Sequence, residues 1–227
     1  MLVTIPDLVT ADELAEIQTA LTGADWQDGR ATAGEQAARV KHNRQIAAGT
    51  PLADRLGGIV LAALGRNPAF SSAALPLHVM PPMFNSHQGG EHFGAHVDGA
   101  IRIVPGTAMR LRTDVSATLF LSAPDSYDGG ALMVEDRFGR HAIKLDAGHL
   151  ALYPATSVHE VAPVTRGTRL ACVFWVQSLV KDEGQRRALY ELDQTIMDLR
   201  SRLADDDPAI VSLTAHYHNL VRRWSEL

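Results

Sequence analysis

HAIKLDAGHLALYPATSVHEVAPVTRGTRLACVFWV, residues 141–176, decides the fold. Four runs rich in branched and aromatic residues, HAIKL (141–145), HLALYP (149–154), HEVAPV (159–164) and RLACVFWV (169–176), are cut apart by Asp146-Ala147-Gly148, Ala155-Thr156-Ser157 and Thr165-Arg166-Gly167-Thr168. Short apolar runs bounded by Gly, Asp, Ser and Thr read as strands joined by turns. Working outward, LPLHVM (75–80), SATLFLS (116–122) and ALMVED (131–136) have the same character, and Tyr127-Asp128-Gly129-Gly130 reads as the turn between the last two. Roughly six to eight strands with no helix among them predict a sandwich or jelly roll.

Helical spacing appears on both flanks. Thr10-Ala11-Asp12-Glu13 has the form of a capping box; Leu14, Ile17 and Leu21 follow, and Gly23 can end the helix. Thr50-Pro51 is an N-cap followed by proline at the first helical position, with Leu52, Leu56, Ile59, Val60 and Leu64 as the apolar face and Gly65 as the stop. From about residue 181 the helical period returns through Leu189, Leu192, Ile196, Leu199 and Leu203. Asp207-Pro208 then starts a last helix whose inward residues are Ile210, Leu213, Tyr217, Leu220 and Trp224. The 189–203 stripe is nearly heptad-like, so a homodimer seam is one expectation, although such stripes more often pack on their own domain. Residues 27–49 read as a loop or a loop-edge strand. The expected organisation is a mainly β domain over residues 1–180, with N-terminal helices, and a C-terminal helical extension over 181–227.

Hydrophobic residues make up 46% of the 227 and charged residues 21%, enough for a packed core without disorder. A net charge of −5 argues against a nucleic-acid or anionic-membrane surface. Cys172 is the only cysteine, so no intrachain disulfide can form, and its place in LACVFWV marks it as a buried core residue. No basic start followed by an apolar stretch opens the chain, and no apolar run approaches the roughly 20 residues of a membrane span. A cytoplasmic, reducing setting is the expectation.

The chemistry is carried by His96-Val97-Asp98. On a strand, residues i and i+2 point the same way, so an imidazole and a carboxylate meet at one spot. With His159 from a distant strand they form a 2-His-1-carboxylate face, the arrangement of non-haem Fe(II) oxygenases. Arg169, ten positions beyond His159, can hold a carboxylate bidentately. His92 and His96 at i, i+4 would make a zinc pair on a helix, but Gly89, Gly90 and Gly94 exclude a helix there. Facing sets a condition on Arg169. If the 159–164 run and the run beginning near 169 form a hairpin, a two-residue turn puts Arg169 opposite Val164, on the wrong face; a three-residue loop pairs it with Thr165, on the face of His159. An odd loop or a bulge is therefore predicted between them. Two other classes fit the histidines and the β pattern: a zinc or manganese cupin-like hydrolase or isomerase, and a non-catalytic sensor of iron or 2-oxoglutarate.

The segments DGRATAG (28–34), VKHNRQ (40–45), FNSHQGGEHFGAHVD (84–98), YDGG (127–130), IKLDAGHLALYP (143–154), HEVAPVTRGTR (159–169) and FWVQSLVKDEGQRRALYELDQ (174–194) make the chain resemble the PKHD-type Fe(II)/2-oxoglutarate-dependent dioxygenases, and within them the bacterial PiuC/YbiX-like subgroup associated with iron uptake. The resemblance implies a double-stranded β-helix, a jelly-roll and cupin relative. It implies His96, Asp98 and His159 as ligands of Fe(II), and Arg169 as the clamp for 2-oxoglutarate. It also implies O2 as co-reactant, ascorbate as auxiliary reductant, and hydroxylation of a peptidyl prolyl or lysyl side chain or of an iron-related small molecule. An intact Asp98 favours hydroxylation over halogenation, which needs that ligand position open. Two departures stand out. The family commonly has tyrosine where this chain has His87, and an aromatic residue where it has Ala95. His87 is expected near the cosubstrate or substrate, and the loop 28–45, with Arg30, Lys41, Asn43 and Arg44, is where substrate contacts are expected.

Overall fold

The computed structural model describes residues 1–32 and 34–227. Two antiparallel sheets form the core. The larger runs Val3–Ile5, Leu150–Pro154, Val115–Phe120, Thr168–Ser178, Met83–Gln88, Arg44–Ile46, Trp26–Asp28, with Pro76–Val79 also pairing to Thr168–Ser178. The smaller runs Gly139–Ile143, Leu132–Asp136, His159–Val161, His92–His96, Lys41–His42.

Strand periodicity gives the larger sheet two unlike faces. Ala117, Leu119, Leu150, Leu152, Cys172, Phe174 and Val176 share one buried core with Ile17, Leu21, Leu56, Val60 and Phe70 of the flanking helices. The alternate residues Ser116, Thr118, Tyr153, Arg169, Val173 and Trp175 turn the other way and line a cavity. Register locks this arrangement: Val173 pairs with Thr118 and Met83, Trp175 with Ser116, and Arg169 with His87. Behind the cavity, Phe120, Leu132, Val134, Ile143 and Ala151 close the space between the sheets.

The helix signals hold. Thr10 makes the reciprocal capping box with Glu13 at the head of Ala11–Thr22. Thr50 caps Pro51–Gly65, and Asp207 caps Pro208–Trp224. Leu189 of the helix Glu183–Arg200 is buried with Leu75 and Val180, and Tyr217, Leu220 and Trp224 of the last helix pack against that cluster. Of the stripe read as a seam, Leu189 and Ile196 are buried within the chain, Leu192 and Leu199 are half-buried, and Leu203 lies beyond the helix end, 41% exposed. Arg186 ties this pair of helices to the sheets: its guanidinium donates to the carbonyls of Val180, Lys181 and Asp114. Among the described residues no helix is long and apolar enough to cross a membrane.

Of the two readings of residues 27–49, the loop-edge strand is the one that forms: the segment supplies strands at the edges of both sheets, with a 3-10 turn at Gly29–Thr32 and a short helix at Glu35–Ala38 between them. Two other elements depart from the sequence reading. A helix at Pro68–Ala74, capped by Asn67, was not anticipated, because seven residues are too few to show a period. The expected hairpin between His159 and Arg169 does not form. His159–Val161 lies in the smaller sheet, the chain crosses at Ala162-Pro163, Val164–Arg166 pairs with Asp128–Gly129, and Thr168–Ser178 enters the larger sheet. Gly167, at φ +72°, makes the turn, where a Cβ would lie 2.2 Å from the Ser126 carbonyl oxygen. The odd-loop rule was drawn for one sheet. Here the two residues line one cavity from opposite sheets, and the parity of a shared ladder does not apply.

Candidate metal centre

His96 ends the strand His92–His96 and His159 begins His159–Val161; they are direct cross-strand partners in the smaller sheet. Asp98 lies two residues past the strand end. One donor atom from each of the three falls within 4.8 Å of the others, and His159 Nε2 is 3.6 Å from Asp98 Oδ2. Each imidazole has its Nδ1 against a backbone carbonyl, Gly94 O at 2.9 Å for His96 and Ser157 O at 3.0 Å for His159. A nitrogen facing a carbonyl carries the proton, so in the neutral ring Nε2 keeps its lone pair. That is the tautomer a metal requires, set by the backbone.

The rings and the carboxylate are held from behind. Phe93 stacks on His96 with centroids 3.6 Å apart, Tyr153 meets His159 edge-on at 5.0 Å, and Ser116 Oγ donates to Asp98 Oδ2 at 2.6 Å. Burial, then the neighbouring His159, pulls His96 down to about 4, with the Gly94 contact and Asp98 opposing. His96 is therefore a lone-pair donor at neutral pH. Two imidazoles and one carboxylate suit a divalent ion with open positions. The Ser116 hydroxyl orients the carboxylate, so Ser116→Ala should weaken ferrous binding by about 10–100-fold while the fold stays intact. Metal titration followed by tryptophan fluorescence or calorimetry reads it, and unchanged affinity would remove Ser116 from the support of the centre.

A cavity of about 680 Å³ contains this centre. One end is marked by Arg169, 1% exposed, and the other by Val97, Ile101 and Ile103, 45–60% exposed. Arg169 Nε and Nη2 are buried without a hydrogen-bond partner, as are both nitrogens of His87 on the paired strand, Tyr127 Oη, Asn85 Oδ1 and Asn43 Oδ1. Burial lowers the Arg169 pKa, with Tyr127 and Tyr153 opposing. Burial, followed by Arg169, lowers His87 well below the ordinary histidine value, so it is neutral. An unpaired buried guanidinium costs several kcal/mol, and unpaired buried amide, hydroxyl and imidazole groups add to it. A small acid bound there offsets that cost. The donor set at the centre and the cation at the closed end together fit a chelating 2-oxo dicarboxylate.

Of the loop residues expected near substrate, Lys41 and Asn43 line the cavity and are buried. Arg30 does not: Asp28, two residues away, accepts from its Nε at 2.8 and 3.0 Å on the exposed side. Arg44 is held by Glu91 at 3.1 Å. Ala95 is exposed, and its neighbour Phe93 supplies the aromatic surface against His96. Sequence reasoning missed Ser116, Tyr127, Trp175 and Arg102. Arg102 sits on a small hairpin, Ile101–Ile103 with Arg110–Arg112, whose Pro105-Gly106 turn was a legible signal.

Burial of neutral His87 and His96 has a consequence for stability. Both titrate below the ordinary value of 6.5 when folded, His96 near 4. Below about pH 6.5 the unfolded chain therefore binds more protons than the folded one. The stabilisation is fully present above that pH and is lost as pH falls toward 4. The metal-free protein is expected to melt about 5 °C or more lower at pH 5 than at pH 7, and His87→Gln to shrink the difference. Flat melting curves across that range would contradict the burial of these rings.

The fold and the centre place the chain in a known class: a profile of the 2OG-Fe(II) oxygenase superfamily matches residues 82–177. Among solved structures, a Pseudomonas putida prolyl-4-hydroxylase superposes with a TM-score of 0.51 at 20% identity, covering 78% of this chain and 92% of that one. A Trichoplax adhaerens prolyl hydroxylase in complex with a hypoxia-inducible factor peptide superposes at 0.55 and 16%, covering 83% and 86%. A PKHD-type hydroxylase C-terminal domain profile matches residues 183–226. The chain is 58% identical over 226 residues, all of both chains, to a PKHD-type hydroxylase of Paracoccus denitrificans, and it belongs to that family. It is a 2-oxoglutarate-dependent dioxygenase whose family uses Fe(II) and 2-oxoglutarate.

Proposed function

We propose that His96, Asp98 and His159 hold Fe(II), that Arg169 binds the distal carboxylate of 2-oxoglutarate, and that the enzyme hydroxylates a C–H bond of its substrate with release of succinate and CO2. The observation that carries this reading is the buried Arg169, its Nε and Nη2 without a hydrogen-bond partner, at the closed end of the cavity that holds the three donors. When bound, iron with 2-oxoglutarate supplies the oxidising chemistry. The chain's residues do the rest. Gly94 and Ser157 fix the imidazole tautomers, Ser116 aims Asp98, Arg169 fixes which end of the acid points inward, and the aromatic walls keep water from the centre. His87 and Asn43 act as hydrogen-bonding groups beside the acid. Ascorbate serves as auxiliary reductant, and a peptidyl prolyl or lysyl group or an iron-uptake-related small molecule as substrate. Residues 1–180 form the catalytic unit, 181–227 brace it, and the protein works in the cytoplasm.

Anaerobic titration with Fe(II) and 2-oxoglutarate, followed by admission of O2 and assay for succinate, tests the reading. The expected result is a metal-to-ligand charge-transfer band that bleaches with O2 as succinate forms. A band without succinate would mean a sensor. No band, together with metal-dependent activity indifferent to O2, would mean a cupin-like hydrolase or isomerase.

A further inference from the structure

Two further cations line the cavity, and the chemistry above does not use them. Lys41, 6% exposed, belongs to the smaller sheet, with Nζ 5.2 Å over the ring of Phe93, which itself stacks on His96. Arg102 comes from the projecting hairpin and lies with Cζ 3.9 Å over the ring of Trp175, the cross-strand partner of Ser116, which holds Asp98. Lys41 is thus one aromatic ring from His96, and Arg102 one aromatic ring from Ser116, on opposite walls. Gln45 Oε1 accepts from Lys41 Nζ at 3.3 Å.

The two cations also sense each other. Burial, and after it Arg102, brings Lys41 down to about 8, while Asp98 opposes; at neutral pH the amine still carries its proton in most molecules. Like charges turned toward one partly buried cavity raise the energy of the free protein, and an anionic ligand relieves it. The charge balance points the same way. A ferrous ion and Arg169 together match Asp98 and the two carboxylates of 2-oxoglutarate. Lys41 and Arg102, against Glu35 as the one other acid lining the cavity among the described residues, then set the field that a substrate meets.

We propose that the substrate bears a carboxylate-like anionic group that docks between Lys41 and Arg102, with its apolar part against Phe93 and Trp175. This rests on the reading of the cavity as the approach to the metal. It selects among the substrates considered: a lysyl side chain brings a cation to a site already lined by two, and an acid-bearing molecule or peptide is favoured. The face-on aromatic rings supply area without charge, and the paired cations supply the discrimination.

Three probes of nearly equal shape test it: benzoate, benzyl alcohol and benzylamine. Each is titrated anaerobically into the full-length protein with Fe(II) and saturating 2-oxoglutarate, so that Arg169 is occupied. Binding is read by ligand-observed NMR and, separately, by perturbation of the charge-transfer band. Benzoate is expected to bind at least about tenfold more tightly than benzylamine. Lys41→Gln/Arg102→Gln should abolish the preference while leaving 2-oxoglutarate affinity within about twofold of wild type. Should the double variant fold poorly, Arg102→Glu, on the exposed hairpin, should by itself reverse the preference toward benzylamine. Equal binding of the three probes, or a benzoate preference that survives Arg102→Glu, would overturn the proposal. The band separates the two ideas. If it forms and no anion preference exists, the anion subsite falls and the metal centre stands. If it never forms and the preference still depends on Arg102, the subsite stands and the metal assignment falls.

Discussion

Asp98→Ala should cut O2-dependent succinate formation from 2-oxoglutarate by at least about 100-fold and leave the fold unchanged. Losing an outer partner of a metal ligand already costs 10–100-fold, and Asp98 is itself one of three donors within 4.8 Å. Without it the site offers two imidazoles and no carboxylate to set against a divalent ion. Structurally it contributes little: it follows the end of its strand, and its hydrogen-bond partner is the hydroxyl of Ser116. Loss of activity with an unchanged circular dichroism spectrum is therefore the expected pair of results, and His159→Ala should match it. Near-normal succinate production by either variant, with iron supplied, would remove these residues from the metal centre.

Arg169→Met should separate binding from stability in a way an ordinary buried arginine does not. Truncating one member of a buried charge pair costs about 2–5 kcal/mol. Affinity for 2-oxoglutarate should accordingly fall about 30-fold or more, as read from the anaerobic charge-transfer titration. The ligand-free protein should melt at the same temperature as wild type or higher, because a guanidinium 1% exposed with Nε and Nη2 unpartnered is replaced by an apolar chain of similar length. Arg186 is the control. It is buried too, but donates to three backbone carbonyls. Arg186→Met leaves those acceptors unpaired and should lower the melting temperature of the same ligand-free protein. If both variants lose stability equally, Arg169 is a structural residue and the acid binds elsewhere.

Much of this molecule could be read without coordinates, wherever the signal was local. Capping by Thr10, Thr50 and Asp207 needs only a side chain and the next few amides. The strand runs at 116–122, 149–154 and 169–176 declare themselves through composition and turn residues. His96 and Asp98 are separated by one residue, so their meeting was legible, although the strand stops at His96 and Asp98 stands just past it. His159 and Arg169 were joined to them by residue type and strand character, and the resemblance implied the same set. Where a residue's role depends on a distant neighbour, the pattern was silent: Ser116 is one of two hydroxyl residues in a mainly apolar strand, and nothing nearby shows that Asp98 will sit 2.6 Å from it. Arg30 and Arg44 looked equivalent to Lys41 in the same basic loop, yet Asp28 and Glu91 draw them outward.

By itself the amino-acid order marked most of the strands and the capped long helices, which side chains share a face within each, and the coming together of His96 and Asp98. Tertiary structure alone decided that His159 and Arg169 line one cavity from opposite sheets, and that Lys41 and Arg102 join its lining from two walls. The reason lies in the two-residue period of a strand. It fixes which side chains lie together on one face, but the sheet that strand joins, and so what the face looks at, is settled by hydrogen-bond partners far away in the chain.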